Sequence, residues 1–187
     1  MDENNLSFSM SQSITEECSE LVSSIAEVTL DSVLEDCLLK DIPIITSVIS
    51  IYKLGTSLRE RHELLKLYHF VKSLNNGMQD EQQRGKYILN FQNDQKTRNK
   101  ELAYLMVVLD KYINLDKPKM LAKIYLSYLN GEITWNEVMK YSEVIGRLLP
   151  GDVELLMVGM RNNVNYQNVD DGILRLLRFS ENVTYCE

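Results

Sequence analysis

Apolar residues recur along most of this chain at alternating spacings of three and four, with polar residues between them, the pattern of helices that each bury one face. Residues 1 to about 12 show no such stripe, are polar, and predict a flexible amino terminus. From Ser13 the pattern Ser-x-x-Glu16 predicts a capping box, and Ile14, Cys18, Leu21, Ile25 and Val28 follow as the stripe of a first amphipathic helix. The phase breaks between Thr29 and Ser32, where a bend or a new helix is expected. Val33, Leu34, Cys37 and Leu38 then form a second stripe.

Asp41-Ile42-Pro43 predicts a helix start, with Asp41 as cap and Pro43 in the first turn, where a missing N–H costs nothing. The segment 42–58 that follows is the most apolar of the chain and predicts a core helix. Thr46, Ser47, Ser50 and Lys53 interrupt it, so it falls short of the about 20 apolar residues a membrane span needs. Gly55 is a candidate for a kink or a close crossing. Leu64, Leu67, Val71 and Leu74 continue as a helical stripe to a left-handed stop at Asn75-Asn76-Gly77.

A shorter helix is predicted from Asp80 to about Gln92, burying Tyr87, Ile88 and Phe91. The polar stretch "QNDQKTRNK" leads to a helix with Leu102, Met106, Leu109 and Ile113 on one face. Asp116 and Pro118 restart the chain, and Leu121, Ile124, Tyr125 and Tyr128 carry the next stripe to Gly131. Trp135 to about Leu149 is a further helix, closed by Pro150-Gly151. Beyond it the pattern weakens: helices are expected near 152–160 and 172–180, and the alternation at Asn182–Tyr185 allows one short strand. No internal repeat marks a solenoid.

The pattern therefore predicts an all-α protein: a single bundle of six to nine helices over residues 13–150, with a flexible 1–12 and a less regular appendage at 151–187. Composition agrees. Of 187 residues, 44% are hydrophobic and 25% charged, with only three prolines and eight glycines, which places the chain among folded helical proteins. Cys18, Cys37 and Cys186 are unpaired in spacing and suggest neither a disulfide framework nor a zinc cluster. The acidic, polar start lacks a secretory pattern, so a cytoplasmic location is expected.

Charge changes the picture more. The net charge is −7, yet residues 1–41 carry ten acidic side chains against Lys40, leaving the rest slightly basic. Residues 95–123 hold seven basic side chains against Glu101, Asp110 and Asp116. Glu16, Glu17, Glu20 and Glu27, on or beside the exposed face of the first helix, are the candidate contacts for a basic partner.

Candidate chemistry is sparse. "LSYLNGEITWNE" has the Gly-x-Ile-x-x-x-Glu tail of a calcium loop, but Leu126 and Tyr128 occupy ligand positions where oxygens are required. The same letters supply a left-handed stop at Gly131, a Thr134-x-x-Glu137 capping box and an Ile133/Val138 staple, so a helix-to-helix corner is expected in its place. His62 and His69 in "HELLKLYH" stand seven residues apart, roughly 10 Å along a helix, too far to share a zinc ion bound at about 2.0–2.1 Å. No nucleophile elbow or phosphate-binding glycine loop occurs. The expectation is a protein without catalytic residues, metal or cofactor.

A helix-turn-helix reading of 113–149 would make the helix after Trp135 the reader, yet Glu137 and Glu143 balance Lys140 and Arg147 there, so nucleic-acid binding is not favoured. The acidic first helix imitating nucleic acid, or occupying a basic groove, fits the charges better.

The order of signals in "DIPIITSVISIYKLGTSLRERHELLKLYHFVKSLNNG" and "LAYLMVVLDKYINLDKPKMLAKIYLSYLNGEITWNEVMKYSEVIGRL" resembles a poorly characterised group of small helical proteins of bacteria and their prophages, over about residues 40–148. In that group the carboxyl-terminal part tends to resemble a winged-helix fragment, and "ILRLLRFSENVTYCE" stops where such a module would continue. The resemblance implies a bacterial or phage setting, and a part in conflict between phage and host, with no catalytic motif.

The functional expectation is a non-catalytic protein-binding protein, an inhibitor or immunity factor acting through its acidic helix, with homo-oligomerisation left open. Two alternatives remain. One is a membrane-directed effector that inserts the 42–58 segment. The other is a small-molecule sequestering protein with Tyr125, Tyr128 and Trp135 lining a pocket.

Overall fold

The computed structural model describes residues 6–25, 37–52, 57–78, 80–149 and 152. Among these, the chain forms α1 (Leu6–Ser13), α2 (Glu16–Ser24), a 3-10 turn (Cys37–Asp41), α3 (Pro43–Tyr52), α4 (Leu58–Asn76), α5 (Glu81–Asn93), α6 (Gln95–Lys111), α7 (Asp116–Leu129) and α8 (Trp135–Arg147), and no strand. The all-α class expected from the periodicity is the class observed. The helices and strand expected in 153–187, and the kink at Gly55, lie outside the described residues. The chain divides into two compact units, Met1–Ala122 and Lys123–Glu187, with the division inside α7.

In the first unit the largest departure from the sequence reading is at the amino terminus. Residues 1–12 were expected to be flexible, yet Leu6–Ser13 is a helix packed on α3, α5 and α6. Leu6, Met10 and Ile14 are buried at a spacing of four, a stripe hidden among serines. Ser7, Ser9, Ser11 and Ser13 are buried too, and their small side chains leave room for neighbours on every side. Two of the hydroxyls are satisfied within the helix, and that of Ser9 is met from α3. Ser11 Oγ donates to the Phe8 carbonyl at 2.7 Å and Ser13 Oγ to the Ser9 carbonyl at 2.8 Å, while Ser9 and Ser47 share a hydroxyl hydrogen bond.

The predicted cap also moves. Thr15, not Ser13, is the N-cap of α2, its Oγ1 accepting from the Cys18 N–H at 3.4 Å. Ser13 Oγ serves α3 instead. Pro43 opens α3 as predicted and has no N–H to offer, so the first orphan donor is that of Ile44, which reaches Ser13 Oγ at 2.8 Å. The apolar 42–58 segment is not helical throughout: α3 is described over Pro43–Tyr52, and an extended Ser57 starts α4 through a capping box with Glu60. Its buried residues include Ile42, Ile44, Ile45 and Val48. The stop after Asn76 is present, but Gly77 has φ −84°, right-handed rather than left-handed.

"QNDQKTRNK" proves helical as well, because Asp94 closes α5 and caps α6 by accepting from the Thr97 N–H at 3.4 Å. The buried face of α6 is Leu102, Leu105, Val108 and Leu109, whereas Ile113, expected on that face, lies beyond the helix end and is 86% exposed.

Four polar side chains of α4 close the ends of other helices. Lys66 Nζ donates to the Asp110 carbonyl in the last turn of α6 at 3.0 Å. Tyr68 Oη and Lys72 Nζ donate to the Ile25 carbonyl, at the end of α2, at 3.1 and 2.9 Å. Asn75 Nδ2 donates to the Ser13 carbonyl, at the end of α1, at 3.1 Å. Helix carboxyl ends carry orphan carbonyls and partial negative charge, so donors and cations belong there. Arg84 of α5 completes the set, donating to the Ile14 carbonyl at 2.6 Å and to Asn75 Oδ1 at 2.7 Å.

In the second unit the expected corner forms in full. Gly131 has φ 77°, its N–H reaches the Tyr128 carbonyl, and the Glu132 N–H reaches the Ser127 carbonyl, both at 2.9 Å. These two bonds make a Schellman stop. Thr134 and Glu137 cap α8 reciprocally, with Glu137 Oε2 accepting from the Thr134 N–H at 2.8 Å and the Glu137 N–H reaching Thr134 Oγ1 at 3.3 Å. Ile133 and Val138 are both buried, as a staple requires. A Cβ at Gly131 would meet open space, so Gly131→Ala pays only for its backbone angle, about 1 kcal/mol. Thr134→Ala should cost a similar about 1 kcal/mol. Urea unfolding of both variants checks this, and added calcium should leave the wild-type melting temperature unchanged.

Candidate functional site

The candidate contact residues sit on α2, which Thr15 starts and the caps from α4 finish. Glu16, Glu17 and Glu20 are exposed, and Glu27 lies outside the described residues. Glu16 and Glu17 occupy the first turn, where carboxylates suit the positive end of the helix dipole. Glu20 stands past that turn, so the dipole does not account for it.

Beside α2 is a cleft of about 500 Å³ lined by Gln12, Thr15, Glu17, Cys18, Leu21, Asp41 and Pro43. Its charged lining residues among those described, Glu17 and Asp41, are both acidic. The Cys18 thiol faces it from a buried position, and burial first, then Glu17, push its pKa up, while Arg84 opposes them. A thiol held protonated is a poor nucleophile and a poor metal ligand. The acidic lining of the cleft suits basic or hydrogen-bonding groups.

Arg84 lies behind α2, with a third bond from Nη2 to Ser19 Oγ at 3.3 Å. Burial pulls its pKa down and Glu16 pushes it back up. Part of the acidic charge of α2 therefore complements an internal cation. Sequence reasoning missed this network because the partners of Arg84 lie 9 to 70 residues away and "EQQRGK" reads as a solvated helix start.

The other candidates separate. No described helix is long and apolar enough to cross a membrane. His62 and His69 are both half-buried on α4, and burial, then Lys119 and Lys72, lower the His69 pKa against a smaller opposing effect of Asp116. Among the described residues no group of His, Cys, Asp and Glu is placed to hold a metal ion. Within the second unit, Tyr125, Tyr128 and Trp135 meet in tilted and edge-to-face pairs with ring centroids 5.5–6.5 Å apart, and Tyr125 is fully buried. The rings pack against each other as core aromatics do. The basic stretch is partly neutralised, with Arg98 paired to buried Glu101 and Lys119 to Asp116.

The sequence matches no family model, no curated protein and no solved structure.

Proposed function

We propose that this chain is a non-catalytic protein-binding protein whose acidic α2 surface occupies a basic surface of its partner, in the manner of an inhibitor or immunity factor. One observation carries the reading. Glu16, Glu17 and Glu20 stand exposed on one short helix with no ion pair to any of them among the described residues, next to a cleft whose charged lining is acidic. Clustered carboxylates repel one another, even with Arg84 offsetting Glu16 from behind, and a basic partner relieves that repulsion and is steered by it. The bacterial or phage setting, and a part in phage–host conflict, rest on the resemblance of residues 40–148 alone.

The test is capture of partners from a lysate of the native host, identified by mass spectrometry. Wild type is compared with the E16A/E17A/E20A/E27A protein at low and high salt. At least one basic protein should be retained by wild type, released as salt screens the charges, and depleted at least tenfold by the variant. An unchanged set of captured proteins overturns the reading.

A further inference from the structure

A second concavity lies in the first unit, on α3, α4 and α6, away from any residue invoked above for partner binding. It encloses about 320 Å³ and is lined by Val48, Glu63, Leu67, Met106, Val107, Leu109 and Asp110. The volume is at the lower end of the about 300–1,000 Å³ typical of small-molecule sites. Its floor is dry, because Val48, Leu67 and Leu109 are buried. Met106 is half-buried and Val107 is 55% exposed at the mouth.

Among the described residues, the two polar lining residues are both carboxylates and no basic side chain lines the space. Lys66 accounts for this. Its side chain is only 1% exposed, and its ammonium is spent on Glu63 Oε1 at 2.8 Å and on the Asp110 carbonyl at 3.0 Å. It therefore orients Glu63 from behind and is out of reach of a ligand's anion. Among the described residues, the Asp110 carboxylate pairs with Arg59 at 3.6 Å, with both side chains well exposed. An exposed pair of that length contributes at most about 1 kcal/mol, so an incoming cation can replace Arg59.

We propose that this cavity binds a small amphipathic cation, an aliphatic or aromatic body bearing one protonated amine. The body rests on Val48, Leu67 and Leu109, with Met106 adapting to its shape, and the ammonium meets Asp110 and the outer oxygen of Glu63. The assignment is independent of the α2 surface.

Three probes share one body and differ in charge: 4-phenylbutylammonium, 4-phenylbutyrate and 4-phenylbutanol. Each is titrated into the full chain while methyl resonances are followed by NMR. Saturable shifts at Met106, Val48 and Leu67 are expected with the amine at a Kd several-fold below that of the carboxylate. Asp110→Asn should weaken the amine about three- to five-fold and leave the alcohol unchanged. Val107→Trp, at an exposed position, should block all three by filling the mouth. Tighter or equal binding of the carboxylate, which Arg59 would attract, overturns the proposal. So does an unchanged amine affinity in Asp110→Asn, or the absence of any saturable shift. Acetyl-Phe-Lys-amide carries the same two groups on a backbone, and its binding more tightly than the free amine would replace the small ligand by a partner's peptide.

Discussion

Met10→Ala is expected to lower the free energy of unfolding of the first unit by about 3 kcal/mol, within the range for truncating a fully buried methionine. Met10 is 0% exposed at the middle of α1, which packs on α3, α5 and α6. An isolated helix of this length does not hold itself, so its stability is that of its packing and its caps. Releasing α1 would also withdraw Ser13 Oγ from the Ile44 N–H and the Ser13 carbonyl from Asn75, so the loss extends beyond one side chain. The control is Gln12→Ala, exposed on the same helix, which should change stability by under about 0.5 kcal/mol. Urea unfolding of the two variants separates an ordered α1 from the flexible terminus that composition suggests. Equal midpoints for Met10→Ala and wild type would remove α1 from the core.

Why α1 was illegible is instructive. "LSFSMSQS" carries too few apolar residues to raise a periodic signal, and its Leu6, Met10, Ile14 stripe emerges only when serine is allowed to be a buried residue. Its ends are held from afar: the Ser7 N–H reaches Asn99 Oδ1 at 2.8 Å, and the Ser13 carbonyl is capped from α4. A window along the sequence cannot contain partners 62 and 92 residues distant. The Gly131 to Val138 corner is the opposite case. Every device in it lies within a dozen residues, and each was readable because its geometry is set by local backbone. The same contrast governs the candidate site. The exposure of Glu16, Glu17 and Glu20 follows from the α2 stripe alone, whereas the acidic cleft beside them needs Asp41 and Pro43 brought over from another element. Ile113 failed for a third reason: the helix ends at Lys111, so its continuation of the stripe had no face to join.

Asn75→Ala should cost about 3 kcal/mol, although it removes a polar residue from a helix that alanine suits better. The side chain is buried and makes three bonds, donating to the Ser13 and Val71 carbonyls at 3.1 Å each and accepting from Arg84 at 2.7 Å. Deletion leaves the Ser13 carbonyl and one Arg84 donor in a site water does not reach freely, and each unsatisfied buried group costs about 1–3 kcal/mol. The gain in helix propensity, about 0.5 kcal/mol, is too small to offset this. The alternative is that each bond acts alone, with α1 held by its apolar stripe. A double-mutant cycle with Arg84→Met decides between them. In a network the second deletion costs less once the first is made, because Arg84 then has one acceptor fewer to lose, giving a coupling of about 1–2 kcal/mol. Additive losses would mean that the caps on α1 are independent, and that the corner between α1 and α2 is not held as a unit. Coupled losses would make Arg84 the residue that ties the buried end of α1 to the acidic helix beside it, through the Ile14 carbonyl and Ser19 Oγ.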